Sequence, residues 1–455
     1  MKTFQDLQMI NISERGEFCA EAVKAFMNTA SYANARDGES YYNKHNITIE
    51  KYKKLLTTLS GRKVEDVFSS NYKLKTLFFR RLVTQQVQYV LGNGVTLTET
   101  ANKERLGKDF DYQLQKAAKI AMAQGQAFGY WNLDHLEVFG YADTDTDAGF
   151  CPLYNEETSQ LEAGIRYWFK RYGEKANDVV LRMTLYEADG ITEYARKGRE
   201  EVKTIAEKKG YIQKAVVLGT GEVEEAFDEN YTALPIIPLY ANDAHQSELV
   251  GIRECIDCYD FVKSGLANDI DDTSGFYWIL QNTGGMDDVD LAQFVQRMKT
   301  VKAAVVDGDV GANATAQTLD VPVEARKTML EILRKDIYED FQALDVQTLS
   351  ASAKTTQEIQ AAYQSQDNKC ADFEYLIIDF VQQILGFAGV DDNPTFVWNK
   401  IINQNEQTSM VLSCANFLPQ ELIIKHLPFL TPEEADEAIN GMNAQGYNLF
   451  NAEEE

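Results

Sequence analysis

Apolar residues recur at three- and four-residue spacing over several long stretches of this chain, and short strand-like runs replace them in one central region. Residues 1–70 are polar and mainly helical in pattern, with turn-like residues at Asn43–Asn46. From Asn71 to Leu91, the positions Leu74, Leu77, Phe78, Leu82, Val87, Val90 and Leu91 predict a stronger helix. Gly92-Asn93-Gly94 stops it, because these residues tolerate positive φ. Residues 108–124 predict another helix, ended by Gly125. From Ala127 to about Ile237 the pattern becomes aromatic and β-branched, with strands expected at 128–131, 136–139, 163–169, 179–186 and 192–194. Consecutive short strands joined by turns such as 188–190 imply an antiparallel sheet, and 234–240 closes the region.

Helical spacing returns at 247–273. A compact strand–helix–strand unit follows at 276–320, with its first strand at 276–280, its helix from Val289 to Thr300 and its second strand at 303–306. Residues 322–343 form one strong helix pattern, with Pro322 in the first turn where its missing N–H costs nothing. A polar loop at 344–355 leads into a long helix from Thr356 to Leu385, and 395–455 reads as helical with an acidic end. The fold class is therefore α+β, predominantly helical. A small unit set between two helices makes sense if they pack antiparallel and carry it at their far end. Their apolar stripes are wide, as expected of helices that touch both each other and a neighbouring subunit. Ile256, Leu266, Ile270, Leu330, Leu333 and Ile337 are the subunit-packing candidates.

Charge changes this picture in one respect. The 455 residues include 44 Lys+Arg and 70 Asp+Glu, a net charge of −26. Such a field repels nucleic acid and anionic lipid, so DNA wrapping or membrane-surface docking is disfavoured. A chain this long is expected to divide into about three units. No apolar run reaches the roughly 20 residues of a membrane span; the best, Tyr375 to Val390, is broken by Asp379, Gln382 and Gln383. Met1 to Gly16 is polar, so no leader is expected. The six scattered cysteines suit reduced thiols.

Several constellations invite a chemical reading. Cys255-x-x-Cys258 has no second ligand pair within reach and lies inside a helix pattern, which favours buried structural thiols. Asp143-x-Asp145-x-Asp147 resembles the start of a calcium loop, but Ala148 and Tyr154 stand where Gly and Glu are required, so an acidic turn is expected. The carboxylates at 268–272 could hold a divalent metal, though a solvated acidic face is the plainer reading. Arg326, Lys327, Arg334 and Lys335 form a basic stripe that could touch phosphates, but acidic residues on the same helix make internal ion pairs the default. No motif demands an enzyme, a metal or a cofactor.

Three strings, taken in order, carry a resemblance. They are Asn71-x-Lys73 through Leu82-Val-x-Gln85-x-Val87-x-Tyr89-x-Leu91-Gly92; Ala267-Asn-Asp-Ile-Asp271 after a Tyr259-Asp260 helix; and Val321-Pro-Val-Glu-Ala325 through Leu333-Arg-Lys-Asp-Ile-Tyr-Glu339. Over about residues 40–390 the chain resembles the portal proteins of tailed bacteriophages, in the long-tailed (siphophage) branch.

The resemblance implies a structural protein of the virion, assembled in the host cytoplasm as a ring, usually dodecameric, at one capsid vertex. Double-stranded DNA would pass through the ring during packaging and ejection. The partners implied are further copies of the chain, large terminase, a head–tail adaptor, and major capsid and scaffold proteins, with no membrane. It assigns 1–70 to a helical arm, 71–245 to the wing, 246–275 and 321–343 to paired stem helices, and 276–320 to a clip. It makes 344–355 a DNA-facing tunnel loop, 356–394 a long helix linking wing and crown, and 395–455 the crown. Lys354, Lys327, Arg334, Lys335, Ser350 and Ser352 are then channel candidates, and Asp287, Asp288, Arg297 and Lys299 clip-docking candidates. A passive conduit without an active site is expected, because strong phosphate neutralisation would trap the duplex. Two rival readings are an acidic scaffold without a channel and a metal-dependent hydrolase built on carboxylates 269–272.

Overall fold

In a computed structural model the described residues are 2–57, 61–66, 69–144, 146–173, 178–217, 223–272, 277–281, 289, 313–317, 322–347, 356–399, 408, 411–427, 430 and 432–445. Two compact units are present, Met1–Val397 and Trp398–Glu455.

The first unit opens with helices α1 (Phe4–Gln8), α2 (Arg15–Phe26), α3 (Ala30–Tyr42) and α4 (Ile47–Lys51), three of them N-capped by Thr3, Thr29 and Asn46 side chains. The mainly helical pattern read for 1–70 gives way after Lys51 to β1 (Leu55–Thr57) and β2 (Lys63–Glu65), which form an antiparallel hairpin. A correction concerns the next helix. α5 spans Phe78–Leu91, not Asn71–Leu91, and residues 69–77 carry no helix. β3 (Val95–Thr96), α6 (Thr100–Glu104) and α7 (Phe110–Gln124) follow, and α7 ends at Gly125 in the left-handed region at φ 92°.

The strand-rich region holds more strands than its sequence pattern reveals. β4 (Gln126–Asn132), β5 (His135–Gly140) and β13 (Ile236–Tyr240) make a three-stranded sheet in the order β13-β4-β5. β6 (Ala148–Tyr154), β7 (Leu161–Arg171), β8 (Val179–Glu187), β9 (Gly190–Lys197) and β10 (Lys203–Lys209) make a five-stranded meander. β11 (Ile212–Val217) and β12 (Val223–Glu229) form a separate hairpin. Every pairing is antiparallel, as the turn signals require. β10 is lysine-rich and β12 glutamate-rich, so little hydrophobic alternation marks them.

α2 lays Phe18, Cys19, Ala22, Val23 and Phe26 into one core with Phe128, Phe150, Ile165, Met183 and Leu185 of the sheets, all nearly inaccessible. That environment pushes the Cys19 thiol far above its ordinary range by desolvation. α3 crosses α7 so closely that a Cβ on Gly38 would stand 1.8 Å from the Ala123 carbonyl oxygen.

The second half of this unit holds α8 (Arg253–Asp272), β14 (Tyr277–Gln281), β15 (Asn313–Gln317), α9 (Val323–Phe341) and α10 (Thr356–Ala388). β14 pairs antiparallel with β15, so the strand partner described for 277–281 lies at 313–317. The helix expected at Val289–Thr300 and the strand at 303–306 lie outside the described residues, Val289 apart. β16 (Thr395–Phe396) pairs with β3, which places the beginning of the expected helical 395–455 segment in the first unit as a strand. The second unit contains α11 (Gln420–Lys425) and α12 (Pro432–Gln445), joined by a Lys425–Asp436 ion pair at 3.4 Å.

Candidate functional site at the α8–α9 helix pair

α8 and α9 run antiparallel. Asp269 near the end of α8 pairs with Arg326 at the start of α9, and Cys255 near the start of α8 lies 4.0 Å from Asp340 near the end of α9. Residues 273–321 are therefore inserted at one end of the helix pair, and the opposite end meets the rest of the unit. This is the arrangement expected from the sequence order.

α8 is held on a second side by the extended residues 70–76. The backbone N–H groups of Tyr72, Leu74 and Thr76 donate to Asn268 Oδ1 at 2.6 Å, Ser264 Oγ at 2.9 Å and Asp260 Oδ1 at 3.0 Å. Two extended residues advance about 6.6–6.8 Å, and four helical residues about 6 Å. Every second N–H of the segment thus meets every fourth residue of the helix. The acceptors Asp260, Ser264 and Asn268 are all buried. Ser70 adds a hydroxyl donated to Asp271. These bonds explain why 71–77 is not helical: its donors are satisfied by α8 rather than by its own carbonyls. Asp260 also accepts from Asn46 Nδ2 at 2.9 Å, and burial pushes its carboxyl up despite these donors.

The start of α8 is gripped from α3 and α4. Arg253 pairs with Asp37 at 2.7 Å and sits 5.6 Å from the Tyr41 ring centroid. Asp257 accepts from the Tyr41 and Thr48 hydroxyls. At the other end of α9, Gln342 turns the chain in the left-handed region at φ 60°. Leu344 beyond it is buried; its N–H donates to Gln366 Oε1 at 3.2 Å and its carbonyl accepts from Gln85 Nε2 at 2.9 Å. Lys369 of α10 ties three elements together. It pairs with Glu248 at 2.5 Å, donates to the Phe341 carbonyl at 2.8 Å, and lies 3.7 Å from the Phe341 ring centroid. Lys369 was marked by no sequence motif, and Asn46 only as part of a turn.

A cleft of about 540 Å³ opens beside this joint, lined by Leu77, Arg80, Arg81, Arg334, Tyr338 and Val346 among others. Arg334 pairs with Asp345 at 2.7 Å, donates to Gln347 and stacks over Tyr338. Arg81 donates to the Tyr338 hydroxyl at 3.3 Å, and Arg80 lies over the Tyr42 ring.

The structure divides the sequence-derived candidates. Arg334 and Lys335 have internal carboxylate partners, Asp345 and Glu339, while Lys327 is exposed and unpaired among the described residues. Lys354, Ser350, Ser352, Asp287, Asp288, Arg297 and Lys299 lie outside the described residues. Ile256, Leu333 and Ile337 are at most 6% exposed and packed within this chain, so they present no surface to a neighbour. Leu266 and Leu330 are half-buried, and Ile270 is 55% exposed. Among the carboxylates considered for a metal, Asp269 is engaged by Arg326 and Asp271 by Ser70. Among the described residues no group of three His, Cys, Asp or Glu is arranged to hold a metal ion. Cys255 and Cys258 are free thiols on α8, half-buried rather than buried as expected, and Asp143 accepts the Thr146 N–H in an acidic turn. No described helix is long and apolar enough to cross a membrane.

Comparison with known proteins places the chain in a family. The chain is 25% identical over 425 residues to the portal protein of Clostridium phage phiCD119, covering 88% of this chain and 90% of that one. It is 23% identical over 322 residues to the portal protein of Bacillus phage SPP1, covering 68% of this chain and 60% of the relative. Among solved structures it is similar to a chain in the neck of an empty GTA particle computed with C6 symmetry, with a TM-score of 0.43, 10% identity, and coverage of 78% of this chain and 91% of that chain. Residues 27–444 match the family described as phage portal protein, SPP1 Gp6-like, and the chain belongs to that family.

Proposed function

We propose that copies of this chain close into a ring, a dodecamer, at one capsid vertex, and that double-stranded DNA passes through its centre during packaging and ejection. The observation that carries this reading, within the family, is the antiparallel α8–α9 pair with an insertion at one end and the sheets and α10 at the other. In this reading 71–245 is the wing, with 1–70 as its arm. The helices at 246–275 and 321–343 form the stem, and the clip at 276–320 docks large terminase and later a head–tail adaptor through Asp287, Asp288, Arg297 and Lys299. Residues 344–355 are the tunnel loop, 356–394 the link, and 395–455 the crown. The protein assembles in the host cytoplasm, meets major capsid and scaffold proteins there, and has no active site of its own.

The net charge of −26 fits a wall that surrounds DNA without holding it. The internal partners of Arg334 and Lys335 leave Lys327, with Lys354, Ser350 and Ser352 of the loop, as the candidates to face the duplex. Negative-stain microscopy of the purified chain tests the reading directly. Rings with a central hole are expected, and monomers or solid particles would overturn it. Packaging by particles carrying Lys354→Ala tests the loop: unchanged DNA length and rate would remove Lys354 from the mechanism.

A further inference from the structure

The α9 helix carries two contrasting faces. Arg334 and Tyr338 look into the cleft beside α5, where Arg80 and Arg81 stand exposed on a chain that is otherwise strongly acidic. Neither Arg80 nor Arg81 has a carboxylate partner among the described residues; their contacts are the Tyr42 ring and the Tyr338 hydroxyl. Apolar rim residues flank them, Leu77 at 36% exposure and Val346 at 52%. On α9 itself, Met329, Ile332 and Asp336 follow three- and four-residue spacing and so share one face. Met329 and Ile332 are 39% and 50% exposed, and Asp336 is half-buried with no cationic partner among the described residues. At about 100° per residue this face lies roughly 140–160° around the helix from Arg334.

We propose that the Met329–Ile332–Asp336 face of one copy docks into the Arg80–Arg81 cleft of the next copy, with Met329 and Ile332 against Leu77 and Val346 and Asp336 toward the guanidiniums. The inference rests on the ring reading above and names the surfaces that would close the ring. Two properties favour a second copy as the occupant. The surfaces are complementary, each joining exposed apolar side chains to unpaired charge of opposite sign. They also lie on opposite sides of one helix, which is the geometry of a head-to-tail contact that can propagate to closure; a self-complementary patch would stop at a dimer. Charge pairing of this kind sets register and suppresses wrong pairings.

The test is a charge swap on the full chain, read by native mass spectrometry and sedimentation over a concentration series. Arg80→Glu and Asp336→Arg should each raise the concentration needed for half-assembly by about tenfold or more, and the double variant should recover most of that loss. Met329→Asp, at an exposed position, should also weaken assembly while the circular dichroism and melting temperature of the unassembled chain stay those of the parent. Parental assembly in the single variants, or a double variant no better than the sum of the two, overturns the proposal. Intact rings that lose affinity for duplex DNA would assign the cleft to phosphate and overturn it as well. If the parent forms rings and the variants match it, only this interface fails. If the parent forms none, the ring reading fails with it.

Discussion

Replacing Asp260 by alanine should unseat the segment that ties α8 to the rest of the protein. Asp260 is inaccessible to solvent, accepts the Thr76 N–H at 3.0 Å and the Asn46 amide at 2.9 Å, and is the first of three acceptors at four-residue spacing along α8. Asn46 cannot turn its amide around to compensate, because its Oδ1 already accepts from the Ile49 N–H at 3.0 Å. Two donors would be stranded at about 1–3 kcal/mol each, so Asp260→Ala should cost about 2–6 kcal/mol. Asp260→Asn retains an acceptor for Thr76 but sets two amide donors against each other, and strands one. It should fall between parent and alanine.

The pH dependence has a definite sign. Burial raises the Asp260 carboxyl above its ordinary value of about 3.9. The folded state therefore binds this proton more tightly than the unfolded state does, and the proton's contribution stabilises at low pH. Relative to Asp260→Asn, the parent should gain stability as pH falls through the raised folded value toward about 3.9, with no further gain below it. Urea unfolding followed by circular dichroism at several pH values measures both quantities. A loss under about 0.5 kcal/mol in Asp260→Ala, or a parent–Asn difference that shrinks on acidification, would refute the reasoning.

Three further outcomes follow from other contacts. Lys369→Met leaves the largely buried Glu248 carboxylate without its cation and should destabilise by about 3 kcal/mol, read as a drop in urea midpoint. The carboxylate of Asp392 accepts from the Thr98 and Glu99 N–H groups and the Asn102 amide, which hold it far below the usual range. That stabilisation is present above about pH 3.9 and lost as pH falls through the depressed folded value, so Asp392→Ala should speed hydrogen exchange at Thr98 and Glu99 near neutral pH. Unchanged exchange there would show that the contacts carry nothing. Gly38→Ala drives a methyl into the Ala123 carbonyl and should cost on the order of 3 kcal/mol, seen as a lower melting temperature.

Helices and strands were legible wherever one face is buried against a single neighbour. α7 ends at Gly125 as its sequence requires, β9 alternates as the pleat demands, and β4 is a continuously buried run. Residues 70–77 show how two periods can coexist. Leu74, Leu77 and Phe78 fit helical spacing, yet Tyr72, Leu74 and Thr76 alternate with Lys73 and Lys75, and both lysines reach the same residue, Glu50. The period of two was there to be read, and tertiary hydrogen bonds to α8 decided in its favour. The stripes on α8 and α9 were recognised, but Ile256, Leu333 and Ile337 could not be told from surface-forming neighbours, because burial within the protomer and burial between subunits select the same residue types. Lys369 gave no signal, since a lone lysine in a long helix looks like any solvated charge until its partners from distant segments are known.

The string around 259–271 that resembles portal proteins acquires a physical meaning from these contacts. Asp260 and Asn268 hold the extended segment, Asp269 fixes the start of α9, and Asp271 takes the Ser70 hydroxyl. Among the described residues of the 268–272 cluster, Asp269 faces α9, while Asn268 and Asp271 face the 70–76 segment. Metal ligation requires several oxygens converging on one point, whereas a helix that must be gripped on several sides at once needs them to diverge. Divergence is what a lever needs if it carries an insertion at its far end: each partner resists rotation about the helix axis from a different direction. The described acidic residues at this place therefore hold α8 from more than one direction.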